Sequence, residues 1–545
     1  MTDITQVNKN SGASSKTNLW CWVAIALIII GAAVIRWRLA AMPLERDEGE
    51  YAYMAQQMLK GVPPYESAYS MKLPGIYAFY AIFLAAFGQT ITAIHLGLII
   101  FNAATIVLIF LLTRRMFGDV AGVASGGIYA ALSLFRHVLG LSANSEHFVV
   151  LPALCGVMLL VNINEHRKLL KVFFAAILLG LAFIIKQHGI FFAVFGSLYL
   201  LYLGFLQKPV KWKYVAASQA VFIAGAVFPF AICCLLFWWA GQFYKFWFWT
   251  FTYAGKYTVY TPLNIAVKNI IKISVPLIYS ALPVWIFVFL GVYRMLITKS
   301  VRQNALFAIG FFIFSFFCVC PGFYFRGHYF ILLLPAASVL AGVGFSVFCD
   351  WMAGSAAKSR RSVIVVLAGI IVIGILLYGQ KAFLFEGDIN RINRLIYGMN
   401  PFPESLEIAE YIKQNSSPDD TVAVFGSEPQ IFFYSGRRSA TRYIYVYPLM
   451  ELHNQAEEMQ KEMIAEIESA KPKFIVLVSI PTSWLMWPDS KMVVFNWYKQ
   501  YVKNFYSITG TVEIQPEGKS IYYWNKFPVG YMPKKNYCII IYKRK

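Results

Sequence analysis

Eleven stretches of this chain are apolar enough, and nearly long enough, to cross a bilayer, and that repetition constrains the fold more than any single motif. They run roughly over residues 19–35, 90–113, 119–138, 146–163, 169–186, 189–206, 213–239, 271–293, 304–320, 328–349 and 362–381. About 20 residues of α-helix span a hydrocarbon core. A chain that is 59% hydrophobic and only 14% charged, with a mean hydropathy of +0.58, is not an ordinary soluble enzyme. The predicted fold class is an α-helical polytopic membrane protein of about 11 transmembrane helices with a C-terminal α/β domain.

Charge placement sets an orientation. With the N-terminus in the cytoplasm, Arg114-Arg115, Arg167-Lys168 with Lys171, Lys208 with Lys211 and Lys213, Arg294 with Lys299 and Arg302, and Lys358 with Arg360-Arg361 all fall on the cytoplasmic side. This pattern accounts for the net charge of +21 better than nucleic-acid binding does, since no basic stripe with interleaved aromatics occurs. Gly75–Phe87 is apolar but short. Counted as a span it would move every basic loop outside, so it reads as an interfacial or partly inserted helix.

The division that follows is a cytoplasmic tail over 1–18, a membrane core over 19–381 with a long first outer loop over 36–89, and an extracytoplasmic α/β domain over 382–545. In that last part Thr421–Phe425 and Phe474–Ser479 read as buried strands, and Glu404–Asn415 and Gln455–Ser469 as helices. The N-terminus carries no cleavable signal pattern, so the first span reads as a retained anchor. Eight cysteines show no metal-ligand spacing with histidine and read as packing residues. No metal or other cofactor is indicated, although a divalent metal is compatible with the sequence.

Chemistry concentrates where the first span emerges. Carboxylates beside a membrane face are costly unless solvated or used. In Glu45-Arg46-Asp47-Glu48-Gly49-Glu50-Tyr51, a helix over 45–59 puts Asp47, Glu50 and Tyr51 on one face and turns Glu48 about 100° away from Asp47. Asp47 suits a general base taking a proton from an acceptor hydroxyl or amine; an interfacial helix with a solvated acidic face is the alternative. Lys72, beside a Pro-Gly turn, suits a phosphate headgroup or a snorkelling position. Further polar groups sit at the outer ends of spans: Asn144-Ser145-Glu146-His147, Lys186-Gln187-His188 and Arg326-Gly327-His328-Tyr329. Lys72, Lys186 and Arg326 can form a cationic ring around an anionic lipid headgroup. Phe243–Trp249 reads either as an interfacial helix at a lipid entrance or as a plain aromatic belt.

These pieces, in this order, resemble the GT-C superfamily of membrane glycosyltransferases, in particular the protein O-mannosyltransferase (family 39) group and the lipid A aminoarabinose transferases. The resemblance rests on Asp47-Glu48 with Tyr51, Ala55 with Met58-Leu59-Lys60-Gly61, Pro64-Tyr65, Lys72-Leu73-Pro74-Gly75 and Phe87-Gly88, and covers about 19–350. In the tail, Val424-Phe425-Gly426-Ser427-Glu428-Pro429 and Tyr434-Ser435-Gly436-Arg437 resemble bacterial members. The chain departs from the family at Lys72-Leu73-Pro74, where Lys-Pro-Pro is common, and at Glu146, where relatives often carry Asp.

The resemblance implies an inverting transferase that uses a polyprenyl- or dolichyl-phosphate sugar on the outer face of a bacterial inner membrane and glycosylates a lipid, glycan or protein. It implies Asp47, with Glu48, in catalysis. Lys72, Lys186, Arg326 and Tyr329 would hold the lipid phosphate, and Tyr51, Glu146 and His328 would contact substrate. A flippase or carrier of lipid-linked sugars is the competing reading, but it would want polar groups through the middle of the membrane, and the spans are largely uncharged there. A scaffold recruiting partners through its tail leaves the polar clusters unexplained.

Overall fold

The first long apolar run forms α1, Leu19–Arg38, and its last turn carries Arg36 and Arg38, whose charges complement the negative end of the helix. Arg36 is buried. Its guanidinium donates to the carbonyls of Gly140 (2.6 Å) and Ser133 (2.7 Å), stitching α1 to the turn that leads towards Glu146. The structure, a computed structural model, describes residues 18–163, 168–259, 261–354, 358–517 and 519–545. The tail assigned to 1–18 therefore lies outside the described residues except for Asn18.

The membrane core continues with α2 (Arg46–Leu59), α3 (Gly75–Phe87), α4 (Ile91–Phe117), α5 (Asp119–Leu132), α6 (Ser145–Val161), α7 (Lys168–Ile185), α8 (Ile190–Leu206) and α9 (Trp212–Trp239). It is completed by α10 (Leu263–Ser280), α11 (Leu282–Ile297), α12 (Lys299–Phe317), α13 (Leu334–Ala353) and α14 (Lys358–Tyr378). Seven of these are long and apolar enough to cross a membrane unaided, counting α8 with the preceding turn and α14 from Arg360. Each of the eleven expected spans has a helical counterpart, with three differences.

The stretch expected as one span over 271–293 is two helices, α10 and α11, bent by 90° at Ala281. Pro283 stands in the first turn of α11, where a missing N–H costs nothing, so the sequence favours a fresh helix start there over continuation. Helix α5 stops at Leu132, well short of 138, and turns through a short 3-10 helix at Arg136–Val138. The polar residues 326–329 precede α13 on a 3-10 turn, Gly327–Leu332, so that span begins at Leu334.

The first loop is built around α2, which Glu45 starts. Its carboxylate accepts from the Glu48 N–H while Glu48 reaches back to the Glu45 N–H, forming a capping box. Asp47 and Glu48 in the first turn also complement the positive end of the helix. The helix ends at Lys60-Gly61, where Gly61 takes φ +81°. Gly75 starts α3 against the backbone of α7. A Cβ there would lie 2.5 Å from the Ile184 carbonyl oxygen, which explains the glycine in Lys72-Leu73-Pro74-Gly75.

The C-terminal part contains a six-stranded mixed sheet built from β1 (Thr421–Phe425), β2 (Arg438–Ser439), β3 (Phe474–Ser479), β4 (Tyr506–Glu513), β5 (Ile521–Trp524) and β6 (Cys538–Arg544). Its order is β2-β1-β3-β6-β4-β5. β1 runs parallel to β2 and β3, and the other pairings are antiparallel. The almost unbroken apolar sequences of β1 and β3 suit strands covered on both faces. The covering helices include α15 (Phe402–Gln414), α16 (Gln430–Ser435), α17 (Ala456–Ala470) and α18 (Val493–Phe505). The two expected strands and two expected helices coincide with β1, β3, α15 and α17, to within a couple of residues at the helix ends.

This domain grips α2. Arg46 pairs with Glu428 at 2.5 Å and donates to the Ser427 carbonyl, and its guanidinium lies over the Phe402 ring. Tyr434 Oη accepts from the Leu44 N–H, and Tyr53 Oη from the Ser439 N–H. Gly49 touches the start of α16 so closely that a Cβ would lie 2.7 Å from the Gln430 backbone nitrogen. The tail segment Val424–Pro429 is thus the end of β1 and the loop that holds the acidic helix.

Candidate active site

Four carboxylates lie within six residues at the start of α2, and the fold treats them differently. Glu48 is fully buried. It accepts from His95 Nε2 (3.0 Å) and from the Ala143 N–H (2.6 Å), while His95 Nδ1 meets the Ala40 carbonyl at 2.8 Å. The imidazole thus bridges Glu48 to the end of α1, bracing the carboxyl from one side. Glu45 is used in the cap. Glu50 is 1% exposed and saturated, accepting from Ser70 Oγ, Tyr77 Oη (2.9 Å) and Lys72 Nζ (2.6 Å). Only the Asp47 side chain stays substantially open, 22% exposed.

The helical spacing operates as expected on the open face. Lys72 Nζ sits between Asp47 Oδ1 (2.8 Å) and Glu50 Oε2 (2.6 Å), 4.7 Å above the Tyr51 ring. Tyr445, from the sheet domain, donates to the same Asp47 oxygen at 2.7 Å. Burial disfavours charge on Asp47. The Lys72 ammonium and, less strongly, His328 and the Lys72 and Tyr445 hydrogen bonds outweigh it and hold the carboxyl well below the ordinary aspartate range. Burial likewise opposes the Lys72 charge, but Asp47 and Glu50 push its pKa upward.

Across the cavity stands a second charged group. Lys186 is ion-paired with the fully buried Glu146 and lies 4.3 Å from the Tyr329 ring centroid. His328 Nε2 is 3.9 Å from the same Glu146 oxygen. The 186–188 turn is held by His188 Nδ1 donating to the Cys318 carbonyl (2.7 Å) and by Gln187 donating to the Met71 carbonyl (2.8 Å). Arg326 completes this side, with its guanidinium 5.7 Å from the Tyr324 ring.

One cavity is lined by Asp47, Lys72, Lys186, Arg326, His328 and Tyr329, together with Glu50. These come from three distant stretches of sequence. Of the other residues singled out above, Tyr51 floors Lys72 and Glu146 lies beneath Lys186. Glu48 points elsewhere, into the His95 brace, so the structure does not bring it to the cavity. Lys72 lines the cavity while its ammonium is paired with Asp47 and Glu50.

The rest of the wall is mainly aromatic, and sequence reasoning missed most of it. The stretch after α9 is a short helix, Phe243–Trp247, running through a π-helix, Phe248–Tyr253, into Ala254–Val259. It delivers Trp249, which stacks on Tyr69 at 4.7 Å, and Tyr253. The sheet domain adds Tyr443, Tyr445 and Tyr447. The density of aromatics over 243–249 was the available signal for the first group; Tyr443-Ile444-Tyr445-Val446-Tyr447 alternates like a strand edge and carried none. Among the described residues, no group of three or more His, Cys, Asp or Glu is arranged to hold a metal ion.

Residues 71–238 match the family model for dolichyl-phosphate-mannose-protein mannosyltransferase. No curated protein sequence matches the chain. Among solved structures, the fold is similar to that of ArnT from Cupriavidus metallidurans bound to undecaprenyl phosphate, at 14% identity and a TM-score of 0.54, covering 95% of this chain and 97% of that one. The apo form of the same protein gives 13% identity and 0.56, with the same coverage. The archaeal oligosaccharyltransferase AglB from Archaeoglobus fulgidus, in complex with an inhibitory peptide and a dolichol-phosphate, gives 12% identity and 0.51 over 95% of this chain and 76% of that one. At such identities the likeness establishes the fold alone: a multi-span helical core with a small C-terminal sheet domain.

Proposed function

We propose that the protein is a glycosyltransferase that moves a sugar from a polyprenyl-phosphate donor to a lipid, glycan or protein acceptor at the outer face of the plasma membrane. The observation that carries this reading is the cavity itself. Asp47 is the one open carboxylate of its cluster, and it faces Lys186, Arg326, His328 and Tyr329 across a space walled by aromatic rings. Aromatic walls suit the apolar faces of a sugar ring, and the cations suit a phosphate. The likeness to proteins seen with undecaprenyl phosphate and dolichol-phosphate supports the same donor class.

In the step we propose, the acceptor oxygen attacks the anomeric carbon from the side opposite the phosphate. The bond from that carbon to the phosphate oxygen breaks, and the bonding pair leaves on the polyprenyl phosphate. The acceptor proton passes to Asp47. The product carries the inverted configuration. A phosphate is a good leaving group and needs charge stabilisation more than protonation, which Lys186, Arg326 and the Tyr329 hydroxyl are placed to provide. Lys72 keeps Asp47 ionised, Tyr51 supports Lys72, Glu146 orients Lys186, and Glu48 holds α2 in place. The membrane core over 19–381 supplies the donor side, and the domain over 382–545 lies on the outer side with the cavity between them.

A panel of radiolabelled polyprenyl-phosphate sugars, offered to the purified protein with acceptor-rich membrane extract, tests the reading. Transfer from one donor with inversion at the anomeric carbon is expected. Tight donor binding with no turnover of any donor would favour a carrier of lipid-linked sugars.

A further inference from the structure

The C-terminal domain does more than cover the cavity. Tyr445 lies 398 positions from Asp47 in sequence, yet its hydroxyl donates to Asp47 Oδ1 at 2.7 Å. Lys72 Nζ donates to that same oxygen at 2.8 Å. Among the described residues, no hydrogen bond reaches Asp47 Oδ2. A carboxylate free to rotate about its Cβ–Cγ bond exchanges its two oxygens; two donors converging on one of them stop that exchange and leave the other facing outward.

The segment carrying Tyr445 is held from both sides. On the domain side, the Val446 N–H donates to Ser427 Oγ (3.1 Å), Tyr443 Oη donates to Glu462 (2.5 Å), and Arg442 pairs with Glu462 (2.9 Å) and Glu466. On the loop side, the Arg442 carbonyl accepts from the Tyr69 N–H at 2.7 Å. The Tyr445 ring lies 5.2 Å from Lys72 Nζ and 5.4 Å from the Tyr447 ring. A phenylalanine would keep every one of these ring contacts; only the bond to Asp47 needs the hydroxyl.

We propose that Tyr445 is a positioning residue supplied by the C-terminal domain: with Lys72 it occupies Oδ1 of Asp47, so that Oδ2 is the oxygen presented to the acceptor's proton. This rests on the reading of Asp47 as the base. It makes the domain a part of the catalytic centre and not only a platform for acceptors.

Tyr445→Phe in the full-length protein tests it. A base that is present but misoriented loses rate without losing donor affinity, so kcat for transfer is expected to fall about ten- to hundredfold while KM for the polyprenyl-phosphate sugar stays within about twofold. Tyr434→Phe is the comparison, because it removes a different hydrogen bond between the domain and the first loop, the one from the Leu44 N–H (2.8 Å), without touching Asp47. Its kcat is expected to stay within about twofold of wild type.

Three outcomes overturn the proposal. A Tyr445→Phe enzyme with wild-type kcat shows that the hydroxyl does not position the base, while the wild-type transfer in the same assay leaves the base reading standing. An equal loss in Tyr434→Phe assigns the effect to looser docking of the domain. Absence of transfer by wild type from every donor removes the base reading and this proposal together.

Discussion

Asp47 carries its negative charge in a place where burial alone would remove it. The sign of the balance can be tested. Because Lys72, His328 and Tyr445 together depress its pKa from the usual 3.8, the stability the ionised group contributes is complete above that value and is lost only as pH falls through the lower folded one. The wild-type transfer rate should therefore show no carboxylate limb between roughly pH 4 and 6, the ordinary range for such groups. In Lys72→Met the largest effect opposing burial is gone and only His328 and the Tyr445 hydrogen bond still counter it, so an acid limb should move up towards that window in a pH–rate profile. Glu48 predicts something different. Glu48→Ala removes the hydrogen-bond partner of His95 Nε2 and of the Ala143 N–H, at a cost of about 1–3 kcal/mol for each buried group left unpaired, and should register as a lowered melting temperature in detergent. Much of this was legible, because helical spacing alone put Asp47, Glu50 and Tyr51 on one face and turned Glu48 away. The pairing of Lys72 with the acids was not, since a lysine 25 residues downstream reads equally well as a phosphate ligand until the chain is folded back.

Between elements, close backbone approaches and one titrating contact fix how the helices and the domain meet. Helix α2 can lie against α16 only because residue 49 has no side chain. Gly49→Ala should separate the helix from the domain and lower transfer at least tenfold, with Gly75→Ala acting in the same direction through α3 and α7. The aromatic stretch 243–259 is tied to the domain by Tyr253 donating to Glu451. Burial raises the Glu451 carboxyl from 4.5 to about 7, against the opposing effects of the Tyr253 hydrogen bond and Arg326. A raised acid stabilises its contact fully below 4.5 and loses that stabilisation as pH rises through about 7. Hydrogen exchange over 248–256, corrected for intrinsic rates, should accelerate from pH 6 to pH 8, and Glu451→Gln should remove that pH dependence. Periodicity and apolar runs found the membrane helices and, in the tail, β1, β3, α15 and α17. They missed the 90° bend at Ala281 because hydropathy is blind to direction, and Pro276 and Pro283 on either side of it were the overlooked cue.

For the whole molecule, the basic loops and apolar runs were enough to anticipate a multi-span core with a separate α/β tail. The interface between the two was hidden: Tyr445, Glu428 and Gln430 meet α2 from nearly 400 residues away, and no local pattern marks such a meeting. The cavity at this junction is proposed to run sugar transfer with Asp47 as base. The most direct test compares wild type and Asp47→Asn for two quantities on the same preparations: transfer from the accepted polyprenyl-phosphate sugar, and binding of that donor. Asp47→Asn should insert, fold and bind donor within a few-fold of wild type while transfer falls by at least about a thousandfold. An Asp47→Asn protein that transfers sugar at the wild-type rate would rule out Asp47 as the base.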